Sequence, residues 1–373
     1  MQKIIPTNNI FPPNWNFLSL ILENPPEDNS DNNSLLTYVL TWNLHGKLPD
    51  ESELGIILPK DKQYDIYIIN TQECLRSISA SFLNDSKEEW EKLLNSYFGD
   101  EYYNLANENL SAFHIAIFVH NSIKNKFSNI RSGKIKTGFM NMFANKGAVA
   151  ISFKYLNKSF LFINCHLTAG QEETNGRNND FKRINTKLNL EPYILKDFIN
   201  SSKEDETNLK SSLQPSFTIS EKFDIVIWAG DFNYRLETNE NFTIKHILQC
   251  IKNKDYDELI KHDQLKNEIK LNNFSFYNFD EGDIFFPPTY KFQENSDDYD
   301  LKERTPGWTD RILFHSKNFS DLLLCKYNSY IEEKTSDHKP VFAVFKIDLI
   351  NPDLNKNKNI DIDNNQSKVC NIF

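Results

Sequence analysis

The sequence predicts an α/β fold of the α+β type, in which mixed β-sheets form the centre of one domain and helices lie outside them. Three observations lead to this prediction. Strand-like and helix-like segments alternate along the chain, and some neighbouring strands are joined as hairpins. The 373 residues include 39% hydrophobic residues and 29 Phe, which is enough for a large core. Since alternation favours parallel strands and hairpins are antiparallel, we expect the sheets to be mixed.

The predicted strands are short runs that are rich in β-branched and aromatic residues. The central one is the apolar run Ile225–Trp228, which we expect to break at Gly230 before a group of polar residues. A turn at 156–158 joins two further strands, 147–155 and 159–167, into a hairpin. The remaining predicted strands are Leu35–Asn43, Asp65–Asn70, His114–Val119, Asp310–Phe314 and Val341–Ile347.

The predicted helices are segments with apolar residues at helical spacing. The first is Ser86–Phe98, with Asp85 or Ser86 as its N-cap, and a second runs from Asn179 to about Phe198. Two more are expected at Phe242–Asn253 and Tyr256–Ile269.

Composition divides the chain into three parts. Residues 1–34 are rich in Asn, Pro and Asp and predict a peripheral segment, 35–350 form the predicted domain, and the Asn-rich residues 351–373 predict a disordered tail. Cys370 stands fourth from the end and is followed by Asn, Ile and Phe, which fits a prenylation box, although chance is the alternative. No polybasic stretch precedes it, so a single lipid chain would hold a membrane weakly.

Charge and cysteine content narrow the class of protein. The net charge of −10 argues against a dedicated nucleic-acid-binding protein, which usually presents a basic face. The five Cys show no zinc-binding spacing, which predicts free thiols in a reducing compartment. No apolar run suits a signal peptide or a membrane span, so we expect a cytoplasmic, monomeric protein that meets membranes only peripherally.

Polar side chains follow several predicted strands, at the strand ends, where functional groups of a sheet are often located. Asn43 and Glu73 offer an amide oxygen and a carboxylate, which are ligands that Mg²⁺ prefers, but each could instead cap a turn or lie in solvent. Asp231 and Asn233 could accept a proton from water and hold a phosphoryl oxygen, or they could form an Asx turn.

Histidines complete this set at two further predicted strand ends. His166 ends the hairpin, and Asp337 stands beside His338 just before the last strand. A lone histidine is more often structural than catalytic. Because Asn, Glu, His, Asp-x-Asn and Asp-His all occur at strand ends, the collection favours metal-assisted hydrolysis of a phosphoester.

Eight motifs follow one another along the chain: TWNLHGK, NTQE, ANKGAV, INCHLTAG, WAGDFNYRL, FPPTYKF, RTPGWTDRIL and TSDHKPV. In this order they resemble the inositol polyphosphate 5-phosphatase family, which has the endonuclease/exonuclease/phosphatase fold, and some look closest to the phosphatase domain of synaptojanins. The resemblance covers Leu35 to Ile347 and implies a four-layer sandwich of two mixed β-sheets flanked by helices. The family usually has Asn where His45 stands, which puts in question the hydrogen bonding near the metal.

The resemblance also implies a role for each matching residue. Glu73 would bind Mg²⁺ with Asn43 completing its environment, and Asp337 would lie near the metal or its water. Asp231 would be the base that deprotonates the attacking water, and Asn233 would hold the phosphoryl group. The implied phosphate donors and their orienting carboxylate are His166, His338 and Asp310.

A further set of matching residues implies the substrate. Cationic and polar side chains would grip the 4-phosphate (Tyr290, Lys291 and Lys302) and face the 1-phosphate (Asn145 and Lys146), with Arg235 close to the centre. An apolar loop would enter a bilayer or, alternatively, pack under itself; it contains Phe139, Met140, Met142 and Phe143.

We therefore expect a Mg²⁺-dependent enzyme acting on a phosphoinositide lipid, phosphatidylinositol 4,5-bisphosphate or also the 3,4,5-trisphosphate. The alternatives are a phosphatase for soluble inositol polyphosphates, a nuclease of the same fold and an inactive membrane-binding module. An inactive module is disfavoured because Glu73, Asp231 and His338 are all present.

Overall fold

The computed structural model describes residues 33–60, 62–74, 88–138, 145–193, 218–271, 275–302 and 304–349. Several predictions fall wholly or partly outside these residues. They concern the peripheral segment before residue 33, the apolar loop with Phe139, Met140, Met142 and Phe143, and the tail with Cys370. The N-cap at Asp85 or Ser86 and the end of the helix predicted to reach about Phe198 also lie outside the described residues.

Two stacked β-sheets form the centre of the domain, as predicted. The six-stranded sheet has the order β12-β13-β1-β2-β4-β3. Its strands are β1 Ser34–Asn43, β2 Ile66–Gln72, β3 Tyr102–Leu110, β4 Phe113–His120, β12 Leu322–Ser329 and β13 Val341–Asp348. Only β1 and β2 pair in parallel here, so the sheet is mixed.

The second sheet has seven strands in the order β10-β11-β9-β7-β6-β5-β8. They are β5 Phe127–Lys136, β6 Gly147–Tyr155, β7 Lys158–His166, β8 Glu191–Pro192, β9 Ile225–Asp231, β10 Asp280–Glu281 and β11 Asp310–Ser316. This sheet is also mixed, because β7 and β9 are parallel whereas the other pairs are antiparallel.

Helices flank both sheets. They are α1 Glu51–Ile57, α2 Glu88–Phe98, α3 Thr174–Lys187, α4 Ile244–Asn253, α5 Tyr256–Ile260 and α6 Gln264–Lys270. Trp90 and Leu94 of α2 pack on the outer face of the six-stranded sheet, and Phe181 and Ile184 of α3 pack on the outer face of the seven-stranded sheet. None of the described helices has the length and apolar content needed to span a membrane.

Alternation along the strands produces three apolar layers. Val39, Ile68 and Ile117 of one sheet meet Ile151 and Ile227 of the other in the central layer, whereas their sequence neighbours point outward to the helices. The result is the four-layer α/β sandwich that was expected from the resemblance. Residues that follow the strands at one edge of both sheets are thereby brought together. The four described cysteines are free thiols, as predicted.

Some element predictions were wrong in detail. Strand β9 does not break at Gly230 but continues to Asp231, because Gly230 adopts φ +146° and lets the backbone of Cys165 approach closely. Helix α3 begins and ends earlier than predicted, and β8 follows where helix was expected. The helix expected over Tyr256–Ile269 is two short helices, since the first ends at Ile260 and Asp263 is the N-cap of the second.

Helix α1 and the two-residue strands β8 and β10 were missed, and so were three longer strands: β3, β5 and β12. Strands β3 and β5 carry many polar residues on half-exposed faces, so their apolar content is low. Strand β12 begins with three leucines, but a register shift after Leu324 interrupts its alternation. The hairpin turn is also shorter than predicted, because Lys158 pairs with Tyr155.

Candidate active site

The strand register of the seven-stranded sheet places three predicted site residues in one row. His166 at the end of β7 pairs with Asp231 at the end of β9, and Asp231 pairs in turn with Asp310 at the start of β11. Paired residues on neighbouring strands point to the same face of a sheet, so their side chains converge. Asn43 at the end of β1 reaches this row from the six-stranded sheet.

Asp231 lies at the centre of the site and is almost completely buried. Its Oδ2 accepts a hydrogen bond from Asn43 Nδ2 at 3.1 Å and lies 3.2 Å from His166 Nε2, while its Oδ1 accepts from the Asn233 backbone N–H at 3.1 Å. Burial alone would raise the pKa of Asp231, but the interactions with His166 and the charges of His338 and Lys146 lower it well below its usual range. The carboxylate is therefore ionised and able to accept a proton.

His338 is held by Asp310 at a second point of the site. Its Nδ1 lies 2.9 and 3.1 Å from the two carboxylate oxygens of Asp310, and both residues are buried. Burial would lower the pKa of His338, but the charge of Asp310 outweighs burial and raises the pKa to about 10. The ring is therefore a cation whose Nδ1 donates to Asp310, and its Nε2–H is a second donor.

Several residues that support this pair were missed from the sequence. The hydroxyls of Thr289 and Thr309 each donate to Asp310 Oδ2 at 2.8 Å. Trp42 Nε1 donates to the His338 carbonyl at 3.0 Å, and the Ser336 hydroxyl donates to the Asn43 carbonyl at 2.6 Å. All four lie inside or beside the motifs, so their position in the sequence was the available signal.

Asn233 and Arg235 form a buried pair beside Asp231. Asn233 has φ +58°, and its Nδ2 donates to the Leu167 carbonyl at 3.0 Å. Arg235 donates from Nη2 to Asn233 Oδ1 at 2.5 Å and stacks 4.6 Å from the ring centre of Tyr290. Arg235 is 4% exposed, so the structure places it as a support for Asn233 and Tyr290 rather than as an open cationic surface.

A second group of oxygen donors lies beside this centre. Glu73 and Asp337 approach the same imidazole, that of His45, whose Nδ1 is 4.0 Å from Glu73 Oε2 and 3.4 Å from Asp337 Oδ1. Asn43 follows on the adjacent strand end, and its Oδ1 accepts from the His45 backbone N–H at 3.0 Å. Two carboxylates and an amide oxygen are hard donors, so these residues fit a divalent cation such as Mg²⁺.

Another triple of possible ligands does not fit a cation as well. Oxygens of Asp231 and Asp310 and a ring nitrogen of His338 lie within 4.8 Å of one another. However, both carboxylate oxygens of Asp310 already lie 2.9 and 3.1 Å from His338 Nδ1, so the carboxylate and the imidazole serve each other as partners. That Glu73 and Asn43 bind the cation, with Asp337 near the metal or its water, stays the prediction made from the resemblance.

A pocket of about 620 Å³ opens from these residues. Its wall includes His45, Asp337, Lys291, Lys302 and Asp300, so Asp337 and two predicted substrate lysines share one cavity. Lys291 Nζ lies 3.5 Å from Asp300 Oδ2, which holds the ammonium at the wall.

The other predicted substrate residues lie around the same centre. The ring of Tyr290 stacks 4.2 Å from that of His338. Lys146 Nζ contacts His166 Nε2, the nitrogen that also lies 3.2 Å from Asp231 Oδ2, and the neighbouring residue Asn145 is exposed. The structure therefore brings together all predicted site residues that it describes.

Stacked sheets with convergent Asp, His and Asn side chains at one edge are typical of phosphoesterase folds. Comparison with known proteins agrees with this classification. The model of the endonuclease/exonuclease/phosphatase family 2 matches residues 40–344. The chain therefore belongs to this family.

Its relatives are inositol polyphosphate 5-phosphatases, which confirms the resemblance found in the motifs. The type II inositol 1,4,5-trisphosphate 5-phosphatase of Mus musculus is 33% identical over 83% of this chain. The phosphatidylinositol polyphosphate 5-phosphatase type IV of Rattus norvegicus is 31% identical over 84% of the chain. The chain spans 29% and 46% of the length of these two relatives.

A solved structure shares the fold over most of its length. The inositol polyphosphate 5-phosphatase domain of a synaptojanin, in complex with inositol (1,4)-bisphosphate and a calcium ion, superposes with a TM-score of 0.68. It is 29% identical, and the match covers 84% of each chain.

Proposed function

We propose that this protein is a Mg²⁺-dependent phosphatase that removes the 5-phosphate from phosphoinositides. Its preferred substrate is phosphatidylinositol 4,5-bisphosphate, which becomes phosphatidylinositol 4-phosphate, and phosphatidylinositol 3,4,5-trisphosphate is a second substrate. The observation that carries the proposal is the row of His166, Asp231 and Asp310, which adjoins a pocket lined by Lys291 and Lys302. Support comes from the relatives, whose names specify 5-phosphatase activity on inositol phosphates and phosphoinositides.

The site residues divide the work of hydrolysis between a base and donors. Asp231 is ionised and accepts a proton from the attacking water. His338 carries a proton on each nitrogen, so its Nε2–H stabilises charge that develops on the phosphoryl oxygens. Asn233, held by Arg235 and the Leu167 carbonyl, keeps one amide hydrogen for the same group. Glu73, Asn43 and Asp337 would hold a divalent cation, which when bound would supply Lewis-acid stabilisation of the phosphate.

Substrate selection follows from the lysine side chains around the pocket. Lys291 and Lys302 meet the 4-phosphate of the inositol ring, and Tyr290 packs between that phosphate and His338. Lys146 and Asn145 lie on the side of His166, where they face the 1-phosphate that joins the ring to the lipid.

The same proposal extends to location and assembly. The protein acts as a cytoplasmic monomer that binds the membrane peripherally and does not bind nucleic acid. The apolar residues of 139–144 enter the bilayer beside Lys146, and a prenyl group on Cys370 adds weak anchoring.

A substrate panel tests the proposed activity. Phosphate release is measured in Mg²⁺ from vesicles with either lipid and from soluble inositol 1,4,5-trisphosphate, alongside nicking of abasic DNA. We expect the lipids to be the best substrates, and Asp231→Asn to lower kcat by about 10³-fold because the base is removed.

Each other outcome of the panel selects an alternative. Turnover of soluble inositol 1,4,5-trisphosphate alone would show a soluble inositol polyphosphate phosphatase, as the name of the mouse relative suggests. Cleavage of DNA alone would show a nuclease, and no turnover of any substrate would leave the inactive module. Full activity of Asp231→Asn would disprove the assigned base.

A further inference from the structure

Gln264, the first residue of α6, is buried and binds both backbone polar groups of Arg235. Its Oε1 accepts a hydrogen bond from the Arg235 N–H at 2.9 Å, and its own N–H donates to the Arg235 carbonyl at 3.0 Å. Because one neighbour satisfies both groups, the backbone of Arg235 has little freedom to rotate. Gln264 therefore fixes Arg235 through the backbone, in addition to the contacts that the guanidinium makes.

The rest of the Gln264 amide is bound as well. Oε1 accepts a second hydrogen bond from Arg177 Nη2 at 2.7 Å, and Nε2 donates to the Gln171 carbonyl at 3.0 Å. Arg177, in α3, is itself buried and donates from Nη1 to the Gly170 carbonyl at 2.7 Å. With both lone pairs of its oxygen occupied, the amide has one orientation. Gln264 thus connects the segment that follows β9 with the segment that follows β7.

The segment that Gln264 holds determines where Asn233 points. Asn233 has φ +58°, a left-handed conformation that a non-glycine residue keeps only where neighbouring structure holds it. Arg235 donates to both oxygens of Asn233, from Nε to the carbonyl at 3.1 Å and from Nη2 to Oδ1 at 2.5 Å. One Nδ2 hydrogen goes to the Leu167 carbonyl at 3.0 Å, so this arrangement also sets the direction of the other hydrogen.

The residue before Gln264 supports the other half of the site in a similar way. Asp263 accepts from Arg311 Nη1 with both carboxylate oxygens at 3.0 Å, and Arg311 follows Asp310 in β11. Two consecutive residues at the start of α6 therefore bind Arg311 in β11 and Arg235 just after β9.

We propose that Gln264 is a positioning residue for hydrolysis, which holds Arg235 so that the second Nδ2 hydrogen of Asn233 faces the phosphoryl group in the transition state. A hydrogen bond that forms only in the transition state raises kcat, and its loss lowers kcat with little change in KM. A purely structural Gln264 would instead affect stability alone. The inference rests on the role that the proposed function gives to Asn233, but not on which inositol phosphate is the substrate.

Steady-state hydrolysis by the full chain tests the proposal, with vesicles containing phosphatidylinositol 4,5-bisphosphate and with soluble inositol 1,4,5-trisphosphate. Gln264→Leu removes the acceptor and should lower kcat about 10²-fold with KM changed less than about threefold, because Asn233 is misplaced. Gln264→Asn draws the amide back by one methylene and should lower kcat about tenfold, which provides the test if the leucine variant does not fold. Gln264→Glu keeps the acceptor oxygens and should retain kcat within about threefold. Gln249→Leu, at an exposed glutamine of α4, is the matched control and should equal the wild type.

A double-mutant cycle with Asn233→Ala separates positioning from stability. In the Asn233→Ala background, Gln264→Leu should lower kcat by less than a further factor of about three, because the group that it positions is already gone. An equal fall in kcat in both backgrounds would overturn the proposal. So would an unchanged kcat in Gln264→Leu, or a kcat of Gln264→Glu as low as that of Gln264→Leu.

Hydrogen exchange gives a readout that does not need turnover. The backbone amides of residues 233–235 should exchange at least about tenfold faster in Gln264→Leu than in the wild type, and Gln249→Leu should retain the wild-type rate. Faster exchange with an unchanged kcat would contradict the role of Gln264 alone. A wild type that hydrolyses neither substrate would contradict the proposed function and the role of Asn233 with it, so the two failures give different results.

Discussion

At the scale of single residues, environment assigns different roles to groups of the same type. Asp231 and Asp310 are adjacent in one sheet row and both are buried, yet their partners differ. Asp310 accepts hydrogen bonds from two threonines and pairs with a protonated His338. The negative charge of Asp310 is therefore neutralised by a partner within the protein. Asp231 accepts from Asn43 and a backbone N–H, and its Oδ2 lies 3.2 Å from His166 Nε2; it is the carboxylate that we propose as the base.

The role of Lys291 is a prediction at this scale. Lys291→Gln removes a charge from the pocket wall but leaves Asp231 and His338 unchanged, so KM for phosphatidylinositol 4,5-bisphosphate should rise about tenfold with a smaller change in kcat. The effect should vanish for phosphatidylinositol 5-phosphate, which has no 4-phosphate. Steady-state kinetics on both lipids measures this. Lys317→Gln, which removes an exposed lysine paired with Asp224, is the matched control. Equal increases in KM for the two lipids would mean that Lys291 does not bind the 4-phosphate.

At the scale of elements, the site depends on how closely β7 and β9 approach each other. Gly230 precedes Asp231 in β9, and a Cβ at this position would stand 2.1 Å from the Cys165 carbonyl oxygen. Any side chain would therefore push apart the two parallel strands that present His166 and Asp231. The glycine that suggested a strand break is instead what lets the strand continue to the catalytic residue.

Substitution of this glycine is a prediction about stability. Gly230→Ala should lower the free energy of unfolding by about 3 kcal/mol or more, because backbone on both strands must shift and φ is unfavourable for alanine. Denaturant unfolding measures the change. Gly55→Ala in α1 is the control, since nothing lies within 4 Å of its Cβ and alanine should stabilise that helix by about 0.5–1 kcal/mol. Comparable stability of the two variants would contradict the argument.

A buried ionic cluster joins three other elements behind the site. Arg311 of β11 donates to both oxygens of Glu281 in β10 at 2.6 Å and to both oxygens of Asp263, the N-cap of α6, at 3.0 Å. Lys266 Nζ lies 2.8 Å from Glu281 Oε2. Burial would raise the pKa of Glu281, but Arg311 and Lys266 lower it to about 2. The cluster therefore fixes the start of β11, where Asp310 stands.

This cluster predicts a pH dependence of stability. Because folding lowers the pKa of Glu281, its stabilisation is present above the ordinary value near 4.5 and is lost as pH falls toward 2. The group should contribute about 3 kcal/mol to the fall in unfolding free energy over that range. Unfolding of Glu281→Gln should therefore show a shallower acid dependence together with lower stability at pH 7. Glu240→Gln, at an exposed glutamate, should match wild type; an unchanged slope in Glu281→Gln would refute the linkage.

At the scale of the whole molecule, the site is a product of sheet stacking. One sheet supplies Asn43, Glu73 and Asp337 at or beside its strand ends, and the other supplies His166 and Asp231. Neither sheet alone holds both the predicted cation ligands and the base. The Asn43–Asp231 hydrogen bond crosses between them and links the two halves directly.

The tail provides a prediction about the whole protein in the cell. Cys370→Ser should shift the protein from the membrane fraction to the soluble fraction while leaving turnover of soluble inositol 1,4,5-trisphosphate unchanged, because it removes only the proposed lipid anchor. Fractionation with the wild type and with Cys325→Ser as a control measures this. Unchanged membrane association would mean that Cys370 does not anchor the protein.

The sequence by itself determined the family and the mixed α/β class, and it predicted the site residues. Its motifs are short stretches of consecutive residues. A strand such as β9 is recognisable because its short apolar run is buried completely in the fold. Half-exposed strands such as β3 and β5 were not predictable, because polar residues dilute the local pattern. Helix α3 ends earlier than predicted because the chain after Lys187 is extended and β8 pairs with β5, a contact that the local sequence does not show.

Only the tertiary structure decided how the site residues act on one another. Pairing of Asp231 with both His166 and Asp310, the burial of Arg235 under Asn233, and the threonines around Asp310 depend on strand register and sheet stacking. The position of His45 between Glu73 and Asp337 has the same origin, since these residues are far apart in sequence. Charge and hydrogen bonding act over a few ångströms, and only the folded chain brings distant residues that close.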